Sequence, residues 1–346
     1  MPKKDRVLWE YRHGLSAMRS GDFAQAKLLL DDAILTISGI YGTDKSGKKA
    51  RSYFNEESKK TFLGEPYERV MAYWYRGILY WMDGEPDNAR ACFRSAQLID
   101  SDSENKEYAS DYATLEYLDG LATFKLGGDG SDAFQRAQKL SKIGALPPYN
   151  KNWNTLVFLE FGNGPGKYST GEYSQELRIR PGSSRANGAW VRIANKAIRI
   201  GAYDDLNFQA TTRGGRVMDH VLANKAVFKG GADTFGNVAI IGGAVAAASQ
   251  SGRHNAGDEI GLGLIAAGVI GKIIAASTTP EADTRAWDNL PQFLSFTALD
   301  LPPGTYDGSV DFTDPSGAVI LTRTFKFTTP APNGNDAVIF LSDKSS

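Results

Sequence analysis

Cysteine, histidine and an excess of either charge are what this sequence has least of. A single cysteine, Cys92, has no partner for an internal disulfide, which excludes the disulfide-stapled scaffolds of small secreted domains. It stands beside Phe93 in a helical pattern and reads as a small buried hydrophobe rather than a reactive thiol. The three histidines, His13, His220 and His254, fall in three different segments. They give no metal-ligand spacing, no Cys-His pair and no Ser-His-Asp set. No Gly-x-Ser-x-Gly elbow is present either. The 39 basic and 40 acidic residues leave a net charge of −1, so the basic face that nucleic-acid binding needs is missing. Neither a metal nor a cofactor is expected, and an enzyme here would have to work through Asp, Glu and Arg.

Long apolar runs are also missing. A spanning helix takes about 20 apolar residues. The two longest candidates, Val238 to Ser249 and Ile260 to Ala276, are separated by the polar Gln250 to Glu259, and Lys272 interrupts the second. Their small residues, among them Gly242, Gly243, Ala246, Gly261, Gly268 and Gly271, suit close helix contacts in water or in lipid. Residues 237–276 therefore read as an apolar helical hairpin that is buried in the protein, touches a membrane, or mediates self-association. The sequence starts Met-Pro-Lys-Lys-Asp-Arg, with no apolar signal segment and no lipid-attachment cysteine, which predicts a cytoplasmic location.

What the sequence does have is a helical signature. Tyr73, Arg76, Gly77 and Tyr80 are followed by Ala89 and Phe93, across the turn Asp83-Gly84-Glu85-Pro86. This is the small-and-large spacing of a tetratricopeptide helix pair. Gly77 and Ala89 let two antiparallel helices approach, and Tyr80 and Phe93 fill the space beside them. A weaker copy covers residues 7 to 38, with Gly14, the turn Gly21-Asp22-Phe23, then Ala26, Leu30 and Ala33. A third covers 113 to 143, with Gly120, Phe134 and Ala137, where the turn Gly127 to Gly130 replaces part of the second helix. The uneven spacing places an insertion at about Tyr41 to Arg69.

After Leu146-Pro147-Pro148 the helical period stops. Thr155 to Phe161 is β-prone, and Glu172 to Arg180 alternates with Tyr173, Leu177 and Ile179 inward. Between them, Gly162-Asn163-Gly164-Pro165-Gly166-Lys167 has the wrong spacing for a phosphate loop and is followed by Tyr168, so it reads as a hairpin loop. Val191 to Ile200 and Leu206 to Thr212 read as short strands, and Gly215 to Phe228 as a helix. Four strands close the sequence, at Phe293 to Leu299, Thr305 to Phe312, Ala318 to Thr328 and Ala337 to Leu341. The predicted fold is multi-domain: an all-α tetratricopeptide-like array over 1–146, then an α+β domain over 150–346 with a terminal β-sandwich-like sheet. At 346 residues, 42% hydrophobic and 23% charged, the chain has material for two cores.

Two sets of residues stand out as candidate sites. The first helices of the three pairs would present Tyr11, Leu15 and Met18, then Trp74, Ile78 and Trp81, then Tyr117, Leu121 and Phe124 on one wall. An apolar wall of that size does not stay bare on a soluble protein. It is covered by the chain's own insertion or second domain, or it is a groove for an apolar segment of a protein or peptide partner. The second set is polar: Arg213, Arg216 and Asp219 with Asp283 and Arg285. Arg-carboxylate pairs of this kind pin a loop to a neighbour, or they line a pocket for an anionic ligand.

Four segments carry a family resemblance: Gly64-Glu65-Pro66-Tyr67-Glu68-Arg69, Thr212-Arg213-Gly214-Gly215-Arg216, Ala282-Asp283-Thr284-Arg285-Ala286-Trp287 and Leu301-Pro302-Pro303-Gly304-Thr305-Tyr306. Together they resemble an uncharacterised family of bacterial tetratricopeptide-repeat proteins, many of which carry lipoprotein signals. The resemblance implies an architecture and a cell-envelope setting, and no reaction. The sequence-level expectation is therefore a non-catalytic interaction or scaffolding protein. Its rivals are a hydrolase or transferase with an Asp/Arg site in the second domain, and a membrane-associated envelope assembly factor.

Overall fold

The computed structural model describes residues 2–42, 61–101, 111–142, 145–172, 174, 176–211, 282–331 and 334–345. The apolar runs within 237–276, the predicted helix at 215–228, Arg213, Arg216 and Asp219, and the 43–60 part of the insertion lie outside the described residues.

The N-terminal region is helical. It contains α1 (Arg6–Ser20), α2 (Phe23–Gly42), α3 (Pro66–Met82), α4 (Pro86–Asp100), α5 (Ala113–Lys125) and α6 (Ser131–Leu140). The turns between partners within a pair are too short for anything but a reversal, so α1 runs back on α2, α3 on α4 and α5 on α6. Gly21 ends α1 at φ 79°, a left-handed cap that other residues adopt only with strain. At Gly77 an added Cβ would lie 2.5 Å from the Phe93 ring, so any larger residue there would have to displace that ring for α3 and α4 to approach this closely. The helix α3 begins at Pro66, inside the predicted insertion. Its first turn is held by Glu68, whose carboxylate accepts the Glu65 N–H at 2.6 Å.

The chain changes from helix to strand between Leu140 and Thr155. A four-stranded mixed sheet has the order β10-β1-β7-β6, built from β1 (Thr155–Phe161), β6 (Asp204–Asp205), β7 (Phe293–Leu299) and β10 (Ala337–Ser342). In it β1 runs parallel to β10 and antiparallel to β7. A second sheet has the order β5-β4-β8-β9, with β4 (Gly188–Ile193), β5 (Lys196–Gly201), β8 (Gly304–Thr313) and β9 (Val319–Thr329). The strands β2 (Gly166–Thr170) and β3 (Glu176–Arg180) form a separate ribbon.

The first sheet is the middle layer. All seven residues of β1 are buried, which marks a strand covered on both faces. Leu156 and Phe158 join the core shared with the helices, whereas Val157, Leu159 and Phe161 join the core shared with the second sheet. One hydrophobic cluster therefore runs from α1 through α3 and α5 into β1, β7 and β10 without a break near residue 146.

Three local readings are corrected. The run Val191 to Ile200 is a hairpin and not one strand: β4 turns into β5 at Ala194, which takes φ 53°. Leu206–Thr211 is a short helix, α7. The Asp205 side chain accepts the Asn207 N–H at 2.9 Å and the Thr211 hydroxyl returns to the Asn207 carbonyl at 2.6 Å; local side-chain bonds outweigh the strand preference there. The Gly162–Lys167 loop is followed by a strand as expected, but β1 and β2 do not pair, so it links two sheets rather than closing a hairpin. The terminal strands are also shared out, β7 and β10 to the first sheet and β8 and β9 to the second.

Candidate functional site

The apolar wall predicted on the first helices exists, and the chain covers it. Tyr11, Leu15, Met18, Trp74, Ile78, Trp81, Tyr117 and Leu121 are buried, and Phe124 is half-buried against Tyr149 at 5.8 Å. Tyr11 stacks on Trp287 at 4.2 Å. Trp74 meets Phe158 edge-on at 6.1 Å. Tyr117 packs among Tyr149, Tyr203 and Phe296 and donates its hydroxyl to the Pro147 carbonyl at 2.6 Å. The assignment of these nine residues to a partner-binding groove is therefore corrected: the first sheet, the 282–292 segment, Tyr149 and Tyr203 lie against the wall.

Buried charges key the same interface. Glu160 on β1 accepts Arg19 at 2.6 Å, with both side chains almost fully buried, and also accepts the Tyr75 hydroxyl. Glu68 accepts Lys167 Nζ at 2.5 Å and the Trp287 N–H at 2.6 Å. Asp204 on β6 accepts the N–H groups of Ala113 and Thr114 at 2.8 and 2.9 Å and the Thr114 hydroxyl. It thereby satisfies the open end of α5 from across the interface. Burial pushes the Asp204 carboxyl up to about 6, against the opposing pull of those donors.

Of the predicted polar cluster, Asp283 and Arg285 are described, and they act together. Arg285 holds Asp283 at 2.7 Å and reaches Asp5 at 2.6 Å, which pins the 282–292 segment to the start of α1. Cys92 is buried, and burial pushes its thiol up to about 12, so it is not a nucleophile at neutral pH. His13 stacks on Trp9 at 4.2 Å. Among the described residues no cluster of three His, Cys, Asp or Glu is arranged for a metal. Nor is any helix among them long and apolar enough to cross a membrane.

A cleft of about 660 Å³ opens where the helical layer meets the strand ends. The end of α3 and its turn supply Trp81, Gly84 and Pro86, and α5 supplies Lys125. The approach to β1 supplies Lys151, Asn152, Trp153 and Asn154; the β7–β8 loop supplies Asp300 to Pro303, and the segment between β9 and β10 supplies Pro330, Ala331, Gly334, Asn335 and Asp336. At its floor Lys125 pairs with Asp336 at 2.6 Å and also donates to the Trp153 carbonyl. Asp336 in turn accepts the Trp81 indole N–H at 3.0 Å. This volume lies within the usual range of ligand sites, about 300 to 1,000 Å³.

The chain matches no family model, no curated protein and no solved structure. The cleft is therefore read from its own residues. Sequence reasoning missed it because five separated segments build it and no spacing connects them. The one local signal is the run Tyr149-Asn150-Lys151-Asn152-Trp153-Asn154, which is polar and aromatic where a domain linker was expected.

Proposed function

We propose that the chain is a non-catalytic binding protein in which tetratricopeptide-like helix pairs serve as a frame, and that the cleft at the seam is where it holds its partner. The close approach at Gly77 and Phe93, repeated more loosely at Gly14 against Leu30, supports the helix-pair reading. Two sheets sharing a core support a sandwich-like second half. The observation that carries the proposal is the contrast between the wall and the cleft: the wall is filled by the chain's own aromatics, while the cleft is open and rimmed with polar groups. A frame whose inner wall is spent on its own sheet must bind elsewhere.

A binding role is favoured over a reaction by where the buried carboxylates lie. Glu68, Glu160 and Asp204 are sealed inside with hydrogen-bond partners, out of reach of a substrate. At the cleft, Lys125 and Asp336 neutralise each other. The envelope setting implied by the family resemblance is part of the proposal but does not enter the argument from the cleft.

The test is site-directed photo-crosslinking in the native host, with the reactive residue at position 152 in the cleft or at position 35 on the outer face of α2. Position 152 should give a discrete adduct and position 35 none. Equal labelling at both positions, or none at 152, would overturn the cleft as the binding site.

A further inference from the structure

The chemistry of the cleft is specific enough to name a ligand class, given that the cleft is the binding site. We propose that it takes a neutral oligosaccharide, with a pyranose ring laid against Trp153 and hydroxyls bonded by the surrounding amides and carboxylate.

Four properties of the lining lead there. The first is unused hydrogen-bonding capacity of both kinds. The side chains of Lys151, Asn152, Asn335 and Asp300 are exposed at the cleft, and none has a side-chain partner among the described residues. The Trp153 ring is only half-buried, and its indole N–H likewise has no partner among them. Amides donate and accept at one group, the carboxylate only accepts, and the indole and ammonium only donate. A ligand dense in hydroxyls, each able to donate and accept, answers such a mixture.

The second property is charge. Lys125 and Lys151 face Asp300 and Asp336, and the Lys125–Asp336 pair is closed at 2.6 Å. With two cations against two anions the site has no net sign, which argues against phosphate, carboxylate or cationic ligands. The third is the aromatic surface. Trp153 offers a flat apolar face with a polar edge, which suits a ring that is apolar on its C–H face and polar around its rim.

The fourth property separates a sugar from a peptide. The cleft is bordered by strand ends: Thr155 starts β1, Leu299 ends β7, Thr329 ends β9 and Ala337 starts β10. Pro302, Pro303 and Pro330 line it and have no N–H to offer a peptide carbonyl. The same prolines stiffen the rim, which lowers the ordering cost of binding.

The experiment is titration calorimetry of the full chain with chitotriose, cellotriose and maltotriose, and with a short proline-rich peptide as the competing class. At least one trisaccharide should bind saturably. Trp153→Ala should weaken that binding about tenfold or more, the loss typical of a central aromatic anchor. Because Trp153 also packs partly against the core, Asn152→Ala and Asn335→Ala serve as exposed second variants. Both should keep the wild-type melting curve and weaken the sugar by a smaller factor. Absence of binding by all three trisaccharides would overturn the ligand class. So would sugar binding that survives all three substitutions unchanged. Peptide binding lost in the same variants would also overturn it, while leaving the cleft as the site; an absent crosslink at position 152 would remove the site itself.

Discussion

On its helix side β1 sets Phe158 against Trp74 and buries Glu160 with Arg19 and Tyr75. On its other side Val157, Leu159 and Phe161 meet Val191, Val310 and Phe312 in the second sheet. One strand thus serves two interfaces of different character. Each buried charged residue among the described ones lies in a helix or bonds to one. Two pleated sheets register through the alternation of their side chains. Ridged helices laid on a pleated sheet have several near-equivalent placements, and the buried pair Arg19–Glu160 rejects the wrong ones, since a charge left unpaired in the interior is costly.

The sharpest way to break this comparison is to remove a ring from the helix side. Trp74→Ala should cost about 3 to 5 kcal/mol in a denaturant melt, as a core truncation does. A loss under about 1 kcal/mol would mean that the sheet does not seal the wall. Of similar size is Glu160→Ala, which strands Arg19 in the interior and should cost about 3 to 5 kcal/mol. The paired replacement Arg19→Met with Glu160→Leu should restore most of that stability while broadening the amide NMR spectrum. An unchanged, sharp spectrum would sink the idea that the pair selects the placement.

A titration sharpens the comparison further. Burial raises the Asp204 carboxyl to about 6 from its ordinary 3.8, so the folded chain binds this proton more tightly than the unfolded one. The contribution therefore favours folding at low pH and is lost as pH rises from about 4 to 6, by about 3 kcal/mol at 1.36 kcal/mol per unit. Glu116 and Asp111, also raised by burial, push in the same direction. Stability measured at pH 4.5 and 7.5 should differ in that sense, and Asp204→Asn should flatten the difference. An Asp204→Asn slope equal to wild type would assign the effect elsewhere. The smallest effect is expected for Gly77→Leu. It forces a side chain into the Phe93 ring at a typical overpacking cost of about 1 to 3 kcal/mol, relieved in part by ring movement, and calorimetric melting reads it directly.

Much of the fold is legible in the sequence wherever one period dominates. The helix pairs follow from Gly77, Ala89 and Phe93, and the closing strands from turns such as Asp314 to Gly317, where the Asp314 carboxylate accepts the Ser316 and Ala318 N–H groups. Leu206–Thr211 was misread because a run of six residues carries too little periodicity to outvote one Asp-Asn bond. The apolar wall could be located from helical spacing, and so could the need to cover it. Its cover could not, because Trp287 and Phe340 are hundreds of residues from Tyr11 and Tyr75 in sequence. The cleft was illegible for the same reason: Lys125 and Asp336 mean nothing until the fold pairs them.

The parallel pairing of β1 with β10 has a consequence for how the chain is made. Leu156 and Phe158 take their places beside Val338 and Phe340, yet a ribosome delivers the second set long after the first. Throughout that interval the aromatic wall on α1, α3 and α5 has only part of its lid, and a chain stopped before residue 282 lacks the Trp287, Phe296 and Phe340 rings that complete it. Synthesis of this protein is therefore a race between completion and self-adhesion, in which nascent chains need either shielding by a chaperone or sparse spacing on the message until the last strand arrives.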